Sequence, residues 1–180
     1  MFAALLPVLC AAGAQDMRAI ERTRLMEAMG LQPGHWTTIM VTESIELEPL
    51  PGRPPLPPQA LAAARSQIGR PVTSEDCVAL PAAAAGDLLL PGVRVGGGCR
   101  IELAEASQGR VRYRARCGDS GGGSDYSAET SGEGIYTPTS IEGRHSLIGS
   151  SPGAGVAIRS TMRLTSRRDG QCVAGSSPDD

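Results

Sequence analysis

Aromatic residues are scarce. One tryptophan, three tyrosines and one phenylalanine make up 3% of 180 residues. A core must therefore be built from aliphatic side chains and alanine, and a hydrophobic content of 41% leaves enough of them for one domain. No basic excess is present either: the net charge of -2 argues against a general nucleic-acid binder. There is no run of about twenty apolar residues, so nothing past the N-terminus spans a membrane as a helix. No C-x-x-C pair occurs, and the only histidines, His35 and His145, have no carboxylate or cysteine neighbour that suggests a ligand set. A structural zinc site is not expected. With no phosphate loop and no dinucleotide fingerprint, neither is a cofactor.

What the chain does have is glycine, 23 residues, and proline, 14, which point to many turns and few long helices. Met1 to Ala14 is apolar and closes on Ala12-Gly13-Ala14, the pattern of a secretory signal cleaved before Gln15. Acylation at Cys10 is disfavoured because Leu9 is bulky where a small residue is wanted. The remaining four cysteines, Cys77, Cys99, Cys117 and Cys172, suit two bridges in an exported chain, periplasmic or secreted. The expected organisation is a signal over 1–14, a leader or short helix over 15–30, one β-rich domain over 31–172 and a polar tail over 173–180.

The most informative stretch runs from Cys99 to Cys117. On the first arm Cys99, Ile101 and Leu103 alternate with Arg100, Glu102 and Ala104. On the second, Val111, Tyr113, Ala115 and Cys117 alternate with Arg110, Arg112, Arg114 and Arg116. Such a period of two means one buried and one wet face. Uniting the apolar sets pairs Leu103 with Tyr113, Ile101 with Ala115 and Cys99 with Cys117, and sets Glu102 against Arg114. The loop is then Ser107-Gln108-Gly109, with glycine in the left-handed position. A two-residue turn at Gln108-Gly109 would shift the register by one. Opposed cysteines in an antiparallel pair are within bonding reach, which selects Cys99–Cys117 and leaves Cys77–Cys172.

Elsewhere, Asp16 to Met29 has helical spacing, with Gly30 as its stop. Leu31 to Trp36 is a turn feeding a strand over Trp36 to Leu47, with Trp36 as the largest core plug. Glu43, Glu46 and Glu48 read as solvated. Glu48 to Pro58 is an extended surface loop, and Pro58 to Gly69 a helix with Leu61, Ala64 and Ile68 on one face. Thr73 to Cys77 can cap a short turn. Leu80 to Pro91 reads as irregular or a short helix. After a glycine-rich turn over Gly118 to Ser124, strands are expected over Tyr126–Tyr136, Thr139–Ile148 and Val156–Thr165; in the last, Val156, Ile158, Met162 and Leu164 face one way, Arg159 and Arg163 the other. The fold class is mainly β: an antiparallel meander of about six strands, disulfide-stabilised, with a helical insert between the first and second strands.

Leu31-Gln-Pro-Gly-His-Trp36, Cys77 after Ser-Glu-Asp, Cys99, Cys117 and the terminal Gly170-Gln-Cys172 together resemble the exported bacterial family catalogued as domain of unknown function 3617. The resemblance covers about residues 31 to 172. It implies an exported, disulfide-bearing, β-rich domain and brings no activity or catalytic residues. Many members have an aliphatic residue just before the closing Gly-x-Cys, where this chain has Asp169.

Two features bear on chemistry. Cys117-Gly-Asp-Ser-Gly-Gly122 resembles the nucleophile segment of chymotrypsin-like proteases, with Ser120 as nucleophile and Gly118 in the oxyanion hole. No Ala-Ala-His-Cys surrounds either histidine, and the chain is short for two barrels, so a glycine-rich turn explains the same letters. The second feature is the outward row Arg110, Arg112, Arg114 and Arg116 with Arg100 beside it. It could meet an anionic envelope component, whether lipid headgroup, polyanion or acidic protein, or be a solvated face that blocks edge pairing. The expected function is a non-catalytic binding or structural module of the envelope, the alternative a serine hydrolase using Ser120.

Overall fold

The computed structural model describes residues 25–79, 88–95, 99–118 and 126–172. The segment expected to be a signal, Ser120 and the segment expected to be a polar tail lie outside them. The chain forms α1 (Leu25–Ala28), β1 (Gly34–Pro49), α2 (Pro58–Arg65), β2 (Pro71–Val78), β3 (Leu88–Leu90), β4 (Val93–Arg94), β5 (Cys99–Ser107), β6 (Arg110–Cys117), β7 (Ser127–Thr137), β8 (Ser140–Ser151) and β9 (Val156–Gly170). Seven strands form one antiparallel sheet in the order β2-β1-β9-β8-β7-β6-β5, and β3 and β4 form a small hairpin of their own. Strands β5 to β9 pair in chain order as a meander. Strand β1 joins beyond β9, pairing from His35↔Gly170 to Pro49↔Val156, and α2 is the helical insert that follows it.

One face of the sheet is covered. Trp36, Val111, Tyr113, Ala115, Ile141 and Leu164 meet Leu25, Met26, Leu31 and the β3–β4 hairpin with Leu88, Leu89, Leu90, Val93 and Val95. Trp36 is fully buried and its indole N–H donates to the Gln32 carbonyl at 3.1 Å. The small hairpin is held by buried Asp76 of β2, which accepts from the Gly92 amide at 2.7 Å and from Arg94 at 2.5 Å. Gly92 has a φ of 79°, and a Cβ there would stand 2.3 Å from Thr38, so only glycine lets this turn seat against β1.

Three expectations are corrected. Thr73 to Cys77 is no capped turn: it lies within β2, paired along β1 from Gly34↔Val78 to Val41↔Pro71, so a non-local ladder overrides a local capping pattern. The described end of Leu80 to Pro91 is strand β3, whose three leucines are all buried in the core. In the β5–β6 hairpin the turn is the two-residue Gln108-Gly109, with φ of 50° and 74°, the mirror-image geometry that matches strand twist. The one-residue shift it imposes is undone by a bulge at Glu102. Cys99↔Cys117 and Ile101↔Ala115 hold, while Ala104, not Leu103, sits opposite Tyr113, and Leu103 is carried to the arginine side opposite Arg114.

Bulges recur between β1 and β9, where Glu43 and Asp169 are the extra residues. All three extra residues of the main sheet are acids, and each finds a cationic or imidazole partner. Glu102 lies 3.4 Å from Arg100, Glu43 lies 2.9 Å from Arg144, and Asp169 lies 2.6 Å from His35. Helix α2 buries no residue fully; it lies along β1 beyond the end of β2, where Gly69 N–H donates to the Thr42 carbonyl at 2.9 Å. It thereby shields an edge that β2 leaves open. The edge strands β2 and β5 each carry a disulfide, Cys77–Cys172 with Cα atoms 5.5 Å apart and Cys99–Cys117 at 3.9 Å.

Candidate functional site

The uncovered face carries the arginine row. Because β6 alternates strictly, Val111, Tyr113 and Ala115 are buried and Arg110, Arg112, Arg114 and Arg116 all point to solvent. Their surroundings divide them. Near the Cys99–Cys117 bridge, Arg114 lies 3.6 Å and Arg116 3.1 Å from Glu129, and Arg116 and Arg100 lie 3.6 and 3.4 Å from Glu102. Glu102 thus serves Arg100 and Arg116 from its bulge, and the ion partner of Arg114 is Glu129, not Glu102.

Towards the hairpin turn the picture changes. Arg112, Glu133, Arg144 and Arg163 lie in one cross-strand row over β6, β7, β8 and β9, beside a second row of Arg110, Ile135, Glu142 and Thr165. These rows line an open groove of about 630 Å³ whose floor includes the directly paired Gly134 and Gly143. A Cβ on either glycine would lie 2.5 Å or less from a carbonyl of the neighbouring strand, so the two backbones meet here as only glycines allow. Arg144 is drawn to Glu43 at 2.9 Å. Among the described residues, Arg110, Arg112 and Arg163 make no ion pair. The groove lining itself holds four guanidiniums and two carboxylates, with Glu43 on Arg144 and Glu105 opposite Arg112 at its margins.

The two histidines have partners that local sequence does not show. On the open side, His35 Nδ1 lies 2.6 Å from Asp169 Oδ1 and Nε2 lies 3.4 Å from Glu75, while the Thr37 hydroxyl donates to Asp169 Oδ2 at 2.6 Å. The hydrogen bond to Asp169 raises the His35 pKa above its ordinary value, and the bonds from Thr37 and His35 lower that of Asp169. On the covered side, Tyr113, Gly132 and His145 are in register on adjacent strands. The Tyr113 hydroxyl bonds His145 Nδ1, and Nε2 meets Thr130 Oγ1 at 3.1 Å. Thr130 in turn donates to the Ser146 carbonyl at 3.4 Å. A neutral imidazole protonated on Nε2 satisfies the whole chain, with Tyr113 as donor at one end. Burial lowers the His145 pKa and raises that of Tyr113. Gly132 makes room, since a Cβ there would lie 2.4 Å from the tyrosine ring.

Sequence reasoning reached Arg110, Arg112, Arg114, Arg116 and Arg100 by alternation. It missed Glu43, read as solvated, and the carboxylates around His35. Arg163 was placed on the right face, but nothing local joined it or Arg144 to β6; the signal would have been a register count across four strands. Ser120 lies outside the described residues. Among the described residues no cluster of histidine, cysteine and carboxylates is arranged to hold a metal ion, and no helix is long and apolar enough to cross a membrane.

An antiparallel sheet with one plugged face, one charged face and a disulfide at each edge defines a disulfide-stapled β-sheet domain. The chain belongs to the family described as protein of unknown function, DUF3617, whose profile matches residues 31–172. No curated protein and no solved structure matches it.

Proposed function

We propose that this domain is an exported, non-catalytic binding module of the cell envelope, periplasmic or secreted, which holds an anionic partner on its open sheet face. The observation that carries this reading is that Arg110, Arg112 and Arg163, which line the groove on that face, make no ion pair among the described residues. Two disulfides at the sheet edges support an oxidising compartment. Both histidines are already engaged, His145 in a buried neutral network and His35 with carboxylates, which favours binding over a reaction.

The test is retention of the oxidised protein by anionic and by zwitterionic surfaces as salt is raised. Surface attraction of about 1 kcal/mol per basic residue makes a visible, salt-sensitive effect from four arginines. Retention unchanged after Arg110, Arg112, Arg114 and Arg116 are all replaced by glutamine would reduce the row to a solvated face. Labelling by a fluorophosphonate probe that disappears in Ser120→Ala would replace the reading with a serine hydrolase.

A further inference from the structure

Resting on that reading, we propose that the partner is the phosphate headgroup of an anionic phospholipid, and that it is held by the groove over β6–β9 through Arg110, Arg112 and Arg163, not by the arginine row as a whole. The row is electrostatically two things. Arg100, Arg114 and Arg116 share the two carboxylates of Glu102 and Glu129 in ion pairs. Arg110 and Arg112 make no such ion pair among the described residues, although Glu105 and Glu133 stand opposite Arg112 in register, and the sheet adds Arg163 from β9 to them.

The chemistry of the lining favours phosphate. All 17 basic residues of the chain are arginine. A guanidinium is a planar fork that engages phosphate oxygens in pairs, and it keeps its charge at every physiological pH. Arg144 also lines the groove but is tied to Glu43, which leaves Arg110, Arg112 and Arg163 as the forks for a ligand.

The apolar residues point to a lipid as the source of that phosphate. Ile135 is 59% exposed within the groove, and Ile39 is exposed in the same cross-strand row, opposite Thr165. Ile148 is exposed on the same face opposite Arg159. A soluble phosphate would leave these side chains in water. A membrane surface offers the headgroup charge and the apolar boundary together.

The experiment is co-sedimentation of the full oxidised chain with phosphatidylglycerol vesicles and with phosphatidylcholine vesicles, with pyrophosphate as soluble competitor. Replacing Arg110, Arg112 and Arg163 together by glutamine should weaken binding to phosphatidylglycerol on the order of a hundredfold, about fivefold per charge. Replacing Arg100, Arg114 and Arg116 should weaken it less than about threefold, since their charges are already screened by carboxylates. Ile135→Ser should weaken vesicle binding and leave pyrophosphate binding as it was. All of these residues are solvent-facing, and an unchanged thermal melt checks that each variant folds. If the two triple variants weaken binding equally, or the second weakens it more, the groove is not the site while the anion-binding reading survives. If pyrophosphate displaces the protein fully and Ile135→Ser changes nothing, the site takes free phosphate and the lipid assignment is wrong. If wild-type protein binds neither vesicle and no anion, the reading above and this inference fall together.

Discussion

His145 and His35 lie on opposite faces of one sheet and are pushed in opposite directions. On the covered face, His145 is kept neutral by burial and closes a chain of hydrogen bonds from Tyr113 to Ser146. On the open face, His35 is drawn towards its charged form by Asp169, with Glu75 beyond. The disulfides divide in the same way: Cys99 packs against the core cluster, while Cys77 is exposed on the outer side of edge strand β2. The covered face is thus built mostly of neutral groups excluded from water, with the Asp76–Arg94 ion pair holding the small hairpin on it. The open face is built of charges in partial balance, and the proposed binding site lies where ion pairs are missing among the described residues.

Reduction of both bridges should have the largest effect on this arrangement, because each ties an edge strand. Cys77–Cys172 spans 95 residues, and its loss by Cys77→Ser should cost about 4–5 kcal/mol by chain entropy. Cys99–Cys117 spans 18 residues, and Cys99→Ser should cost about 3 kcal/mol. Denaturant unfolding of the two variants checks the order. A costlier Cys99→Ser would mean that the short bridge, packed on the core, does more than close a loop.

Next, the faces can be compared by truncation. Trp36→Ala should remove about 3–5 kcal/mol, since it empties the centre of the plugged face. Ile135→Ala, exposed on the other face, should stay within about 0.5 kcal/mol. Equal losses in equilibrium unfolding would contradict the assignment of stability to the covered face.

A smaller effect separates the histidines. His35 has a folded pKa above the ordinary 6.5, so its contribution is full below pH 6.5 and is lost as pH rises through the folded value. His145 has a folded pKa below 6.5, so its contribution is full above pH 6.5 and is lost as pH falls towards the folded value. Asp169, with a lowered pKa, adds a loss at still lower pH, as it falls through its own folded value. Melting temperature against pH should therefore lose part of its alkaline fall in His35→Gln and part of its fall just below pH 6.5 in His145→Gln. Identical profiles in the two variants would refute the opposed roles.

The smallest expected change is in stability when Arg110 and Arg112 become glutamine. Exposed, and in no ion pair among the described residues, they should alter unfolding by no more than about 0.5 kcal/mol. A loss of several kcal/mol would make them structural and weaken their assignment to binding.

The β5–β6 hairpin shows how far local pattern reaches. Alternation from Val111 to Cys117 was enough to say which side chains face water and to bring Cys99 against Cys117. It was not enough to choose the turn. The preference of Gln108-Gly109 for a two-residue geometry and the parity of the cysteines conflict locally, and only a bulge at Glu102 satisfies both. Segment Thr73 to Cys77 failed for a related reason, since its strand conformation comes from the ladder it makes with β1.

What the sequence determined by itself is the mainly antiparallel class, the two-faced character of β6 and β9, the burial of Trp36 and the pairing of the cysteines. Each rests on a period of two, a turn signal or a count, and these are properties of neighbours along the chain. What only the tertiary structure decided is which strands lie side by side. His35 and Asp169 are 134 residues apart, and Arg112 joins Arg163 only because β7 and β8 lie between their strands in one register. Strand order and register are set by the packing of whole faces, so the groove exists only once the sheet has closed over its core.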